Sequence, residues 1–84
     1  MVYAVITNIS YSSDTLFRDH EGTVRLVNKG EIPLPTTVNI NNSNSYYNET
    51  YFSDYTEARA NFELVVNNWQ NSNGGRNIRG IDET

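Results

Sequence analysis

The sequence predicts a small α+β fold: an antiparallel meander of three to four strands with one C-terminal amphipathic α-helix packed on one face. Three observations predict it. The first half holds short runs rich in β-branched and aromatic residues, separated by clusters of Gly, Asp, Asn and Ser. The second half holds one apolar stripe at the helical period, opened by an acidic cap and followed by Gly74-Gly75. No linker or internal repeat divides the 84 residues, so they read as one domain.

Residues 2–11, VYAVITNISY, predict the first strand, because they contain neither Gly nor Pro and are rich in strand formers. Alternation sets Val2, Ala4, Ile6 and Asn8 on one face and Tyr3, Val5, Thr7, Ile9 and Tyr11 on the other. Ser12-Ser13-Asp14 predicts a turn, and Thr15–Asp19 a short second strand with Leu16 and Phe17 as core candidates. His20-Glu21-Gly22 predicts the next turn, with Gly22 at a cheap positive φ. Thr23–Asn28 predicts the third strand, Val24 and Leu26 sharing a face, and Lys29-Gly30 a further turn.

Ile32-Pro33-Leu34-Pro35 predicts an extended connector, since neither proline can donate to a sheet ladder. Thr36–Asn41 predicts a fourth strand through Val38 and Ile40. These elements make residues 1–41 the meander, and residues 42–53 are expected as a loop dense in Asn and Tyr.

The helix is predicted over residues 54–71. Asp54-Tyr55-Thr56-Glu57 reads as a capping box, with Ser53 the alternative cap. Tyr55, Ala58, Phe62, Val65, Val66 and Trp69 form its apolar stripe. Gly74-Gly75 is expected to end it. Residues 72–84 form a tail with Ile78 and Ile81 as anchors, adding a short strand or fraying.

Composition narrows function by exclusion. There is no cysteine, so no disulfide and no thiolate metal site. The longest apolar runs, Val2–Ile6 and Leu64–Val66, fall far short of the ~20 residues a membrane-spanning helix needs. No basic segment precedes Val2–Ile6, so no signal peptide is read, and the expected location is the cytoplasm, of a host cell if the chain is viral. Thirteen asparagines are spread along the chain and read as the codon bias of an AT-rich genome. The sequons at Asn8 and Asn48 follow from that abundance.

No catalytic constellation emerges. The single histidine, His20, reads as an exposed turn residue, because one His without a second His or Cys makes a poor metal site. Asp54 and Glu57 are accounted for by capping. There is no calcium-loop, phosphate-loop or dinucleotide motif. Gly74-Gly75-Arg76 with Arg79 is the nearest approach to a phosphate clamp, and Asp82 and Glu83 offset its charge. The expectation is therefore no enzyme, no cofactor and no metal.

Nucleic-acid binding is disfavoured as well. Six bases against ten acids give a net charge of −4, and residues 41–71 hold one base against four acids. The alternative kept open is a sheet face that binds single-stranded nucleic acid or a nucleotide through Tyr3, Tyr11, Arg18, Arg25, Arg76 and Arg79.

The first strand is apolar on both faces, and one helix covers only one face of a sheet. Tyr3, Val5, Ile9 and Tyr11, or the opposite row, thus need another cover: a second copy, with that row as dimer face and the chain a homodimer, a partner protein, or the Asn42–Phe52 loop. Tyr46, Tyr47 and Tyr51, with Glu49, Asp54, Glu57 and Glu63, are expected to bind a partner: aromatics anchor, and carboxylates steer toward a basic surface.

At the level of class, the chain is similar to the small, acidic, cysteine-free accessory proteins of phages and mobile elements, anti-CRISPR and related anti-defence inhibitors among them. That similarity implies a non-catalytic protein–protein interaction module. It would act as a stoichiometric inhibitor of a host defence or nucleic-acid-handling protein.

Overall fold

A computed structural model describes residues 1–11, 20–72 and 77–84. Its elements are β1 (Val2–Tyr11), β2 (His20–Gly30), β3 (Val38–Asn41), β4 (Ser45–Phe52), α1 (Tyr55–Gln70) and β5 (Asn77–Asp82). The class is α+β, but the sheet has five strands in the order β3-β4-β1-β2-β5 and is mixed. The three other neighbouring pairs are antiparallel, while β5 runs parallel to β2. The polarity of β5 follows from connectivity. Strands β2 and β4 both run against β1, and α1 carries the chain back before β5 begins, so β5 shares their direction.

The meander is therefore corrected. Instead of one edge of a linear array, β1 is the central strand, paired along most of its length with both β2 and β4. That placement explains why both its faces are apolar.

Residues 42–53 are not a loop. Ser45–Phe52 forms β4, and a short turn joins it to β3, closed by the Asn42 amide donating to the Ser45 carbonyl at 2.9 Å. The tyrosines and threonine of SYYNETYF outweigh its asparagine and serine once β1 and β3 supply ladder partners.

His20-Glu21-Gly22 is not a turn either; all three lie in β2. Gly22 is required by a close approach between strands. Its φ is +152°, and a β-carbon there would lie 2.0 Å from the Asn8 carbonyl oxygen. Lys29-Gly30 closes β2, with Gly30 at φ +80°. The expected turn at residues 12–14, the strand at 15–19 with Leu16 and Phe17, and Gly74-Gly75 lie outside the described residues.

The helix matches its reading. The Asp54 carboxylate accepts from the Glu57 amide at 3.1 Å, the capping bond expected. At its end, the Asn71 amide donates to Asn67 and the Ser72 hydroxyl to the Trp69 carbonyl at 2.7 Å. These bonds satisfy two of the terminal carbonyls. Ala58 and Phe62 are buried, and Val65, Val66 and Trp69 pack beside them. Gln70 ties α1 to β5, its amide donating to the Ile78 carbonyl at 2.9 Å.

The core has two parts. Under α1 lie Val5, Ile9, Val24, Leu26 and Ile78. On the helix-free side lie Ala4, Ile6 and Val27, with Tyr47 and Tyr51 packed over them. No helix among the described residues is long and apolar enough to cross a membrane.

Candidate functional site

The helix-free face of the sheet is read row by row from the strand registers. One row runs Ile40, Tyr47, Asn8, Thr23, Arg79; the next runs Val38, Glu49, Ile6, Arg25, Ile81. Tyr51, Ala4 and Val27 form a third. Tyr47, Glu49 and Tyr51 thus stand at alternate positions of β4, on one side of the strand. Both tyrosine hydroxyls donate to the Glu49 carboxylate, one to each oxygen.

This arrangement fixes charge as well as shape. The two phenol donors hold the Glu49 carboxyl below its usual range. The same bond to Glu49 pushes the Tyr51 phenol up to about 12, and it raises Tyr47 too. The carboxylate is thereby kept ionised between two aromatic rings, which themselves roof Ala4, Ile6 and Val27. Across Ile6 from it, Arg25 makes a two-pronged pair with Glu83, at 3.0 and 2.8 Å. Ile40 and Ile81, 50% and 38% exposed, mark the two margins of the face.

Of the residues expected to bind a partner, the structure brings together Tyr47, Glu49 and Tyr51 alone. Tyr46 points to the helix side, its ring 5.4 Å from that of Trp69. Asp54 is spent on the helix cap. Glu57 lies in the first turn of α1, and Glu63 pairs with Arg59 on the same helix at 3.1 Å. The acidic segment does not form one surface, because strand and helix turn its carboxylates in different directions.

Of the two rows named for a dimer face, the helix takes the first. Tyr3, Val5, Ile9 and Tyr11 form the row that α1 covers: Val5 and Ile9 are fully buried, and Tyr3 and Tyr11 pack at the margins of that core. Tyr3 meets Tyr55 edge-on at 5.4 Å. The row left without a helix is its opposite.

The residues of the nucleic-acid alternative are likewise divided. Tyr3 and Tyr11 face α1, while Arg25 and Arg79 stand on the other side of the sheet. Arg18 and Arg76 lie outside the described residues. His20 is half-buried instead of exposed in a turn. Its ring meets Tyr11 at 4.9 Å and Trp69 at 5.9 Å, and its Nδ1 is buried without a partner among the described residues. No group of three or more His, Asp or Glu side chains is placed to hold a metal ion among the described residues.

Sequence reasoning missed Arg25, Glu83, Val38, Ile40 and Ile81 as companions of Tyr47 and Tyr51. Only the pairing of β4 with β1 and of β5 with β2 brings them to one face. The available signal was the alternation Tyr47, Glu49, Tyr51 within a stretch read as loop. Compared with protein-family models, curated proteins and solved structures, the chain shows no match.

Proposed function

We propose that this chain is a non-catalytic binding module that docks the helix-free face of its sheet onto a basic surface of a partner protein. The observation that carries the reading is the Tyr47–Glu49–Tyr51 group. Two large amphipathic rings are held in place by a carboxylate that stays charged, so little side-chain freedom is lost on docking. A lysine or arginine entering between the rings would meet both a carboxylate and aromatic faces. The class similarity extends the reading to a stoichiometric inhibitor carried by a phage or mobile element and acting inside the host cell. A homodimer through the same helix-free face would be the resting form, and it would have to part before docking.

The test compares the chain with Tyr47→Ala/Tyr51→Ala and Glu49→Gln variants. Tagged protein captures partners from lysate, and the captured protein is purified and titrated by calorimetry. The expected result is a defined stoichiometry and an affinity reduced at least about tenfold by the double tyrosine variant. It should also weaken with salt for the parent chain more than for Glu49→Gln. Capture that is indifferent to both variants overturns the reading, as does capture of single-stranded nucleic acid alone.

A further inference from the structure

We propose a second, independent site on the same face: a polar hollow spanning β1, β2 and β5 that binds a neutral saccharide unit. The hollow has a volume of about 600 Å³, within the usual range of small-ligand sites, ~300–1,000 Å³. Asn8 and Ser10, Glu21 and Thr23, and Asn77 and Arg79 line it, a pair from each strand. In register they make two cross-strand rows, Asn8–Thr23–Arg79 and Ser10–Glu21–Asn77.

Three features select the ligand. First, the lining is mostly polar, with Gly22 at its floor, which disfavours an apolar molecule. Second, its two charges oppose each other. Glu21 and Arg79 share the hollow but make no ion pair among the described residues. A free anion would meet the carboxylate, and a free cation the guanidinium. Third, the other four side chains are two amides and two hydroxyls, each able to donate and to accept. A zwitterionic amino acid would engage the two charges and leave those four to water. A sugar uses all six groups. One pair of adjacent hydroxyls donates to the two oxygens of Glu21, another accepts from the forked N–H groups of Arg79, and the amides serve those between.

The platform is also stiff. The row beneath it on the helix side contains Ile9 and Ile78, both buried in the main core. Between them Gly22 holds β1 and β2 in close approach. The binding groups therefore stand on strands, and binding does not first have to order a loop.

The experiment is a titration of the full ¹⁵N-labelled chain, followed by NMR. The probes are glucose, galactose, mannose, N-acetylglucosamine and their common disaccharides, with inorganic phosphate and glycine as separate arms. The expected result is saturable shifts at residues 8, 10, 21–23, 77 and 79 with a millimolar dissociation constant for at least one sugar. Glu21→Gln and Arg79→Gln should each weaken it about tenfold, the loss expected for one charge-assisted hydrogen bond. Glu21 and Arg79 are exposed, and the rest of each variant's spectrum reports whether the fold is kept. Tyr51→Ala should leave sugar binding intact, which separates this site from the docking surface. The proposal is overturned by the absence of saturable shifts with every sugar, by a response to phosphate or glycine alone, or by sugar shifts that both variants leave unchanged.

Discussion

A single methyl group at position 22 puts the pairing of the two longest strands to a direct test. In Gly22→Ala the new carbon would sit 2.0 Å from the Asn8 carbonyl oxygen and 2.9 Å from the Ile9 α-carbon. Both obstacles are backbone, so no side chain can swing aside. Forcing the strands apart costs about 1–3 kcal/mol, by analogy with an overfilled core. The backbone at φ +152° lies in a region nearly confined to glycine, adding about 1–3 kcal/mol. Together these make about 2–6 kcal/mol, against a total of about 4–13 kcal/mol for a chain of this size. Gly30→Ala is the control. It also has a positive φ, +80°, but a β-carbon there meets nothing within 4 Å, so only the backbone term applies, about 1–2 kcal/mol. Thermal unfolding followed by circular dichroism reads both variants. At about 4–8 °C per kcal/mol, Gly22→Ala should melt at least about 10 °C below the parent, and well below Gly30→Ala. A Gly22→Ala midpoint within about 3 °C of the parent, or one equal to that of Gly30→Ala, would refute the close approach.

The remaining predictions concern β4 and α1. In Glu49→Gln, the Tyr51 phenol should fall from about 12 toward the ordinary tyrosine value near 10, read as phenolate absorbance during alkaline titration. Because the folded Glu49 carboxyl is held low, its contribution to stability is present above the unfolded value, near 4.3, and is lost as pH falls through the folded one. Tyr51 is raised, so its contribution is present below about 10 and disappears as pH climbs through about 12. Denaturant midpoints across pH should therefore fall off at both ends for the parent and more weakly for Glu49→Gln. Asp54→Ala removes the acceptor for the Glu57 amide and should cost about 1 kcal/mol, a drop in melting temperature of about 4–8 °C. An unchanged midpoint would mean that the cap contributes nothing.

Local patterns carried the most legible parts of the fold. The span of β1 follows from ten residues of strand formers, and that of α1 from a stripe whose buried members, Ala58 and Phe62, are those its period singles out. Partner choice was not legible. Nothing in VYAVITNISY says that β4 will pair with it, because the partner lies beyond two prolines and an asparagine-rich turn. For the same reason SYYNETYF reads as loop until β1 and β3 are beside it. The two-sided apolarity of β1 was visible, but which face α1 would take was not. Val5 and Ile9 exceed Ala4 and Ile6 by only two carbon atoms in all, too little to choose a face. What decides between them is that Val24, Leu26 and Ile78 add to the first row, whereas Arg25 and Glu49 flank Ile6 on the second. Of the expected partner-binding residues, Tyr47, Glu49 and Tyr51 survive as a group because they keep a two-residue spacing on one strand. Those spread from strand to helix, such as Tyr46 and Glu63, do not.

The parallel pairing of β5 with β2 has a kinetic consequence. Glu21 meets Asn77 across about two-thirds of the chain, and everything between must be threaded before that ladder can close. The β1–β2 contacts are the most local of the long pairings and can form early, while β2 waits with its outer edge bare. During synthesis that edge emerges from the ribosome well before the strand that covers it. Leu26, whose carbonyl finally accepts from the Glu83 amide at 2.8 Å, is then open to any other extended segment. Folding should accordingly be limited by the arrival of β5, and a chain shortened before Asn77 should misassociate through β2 instead of merely losing a tail.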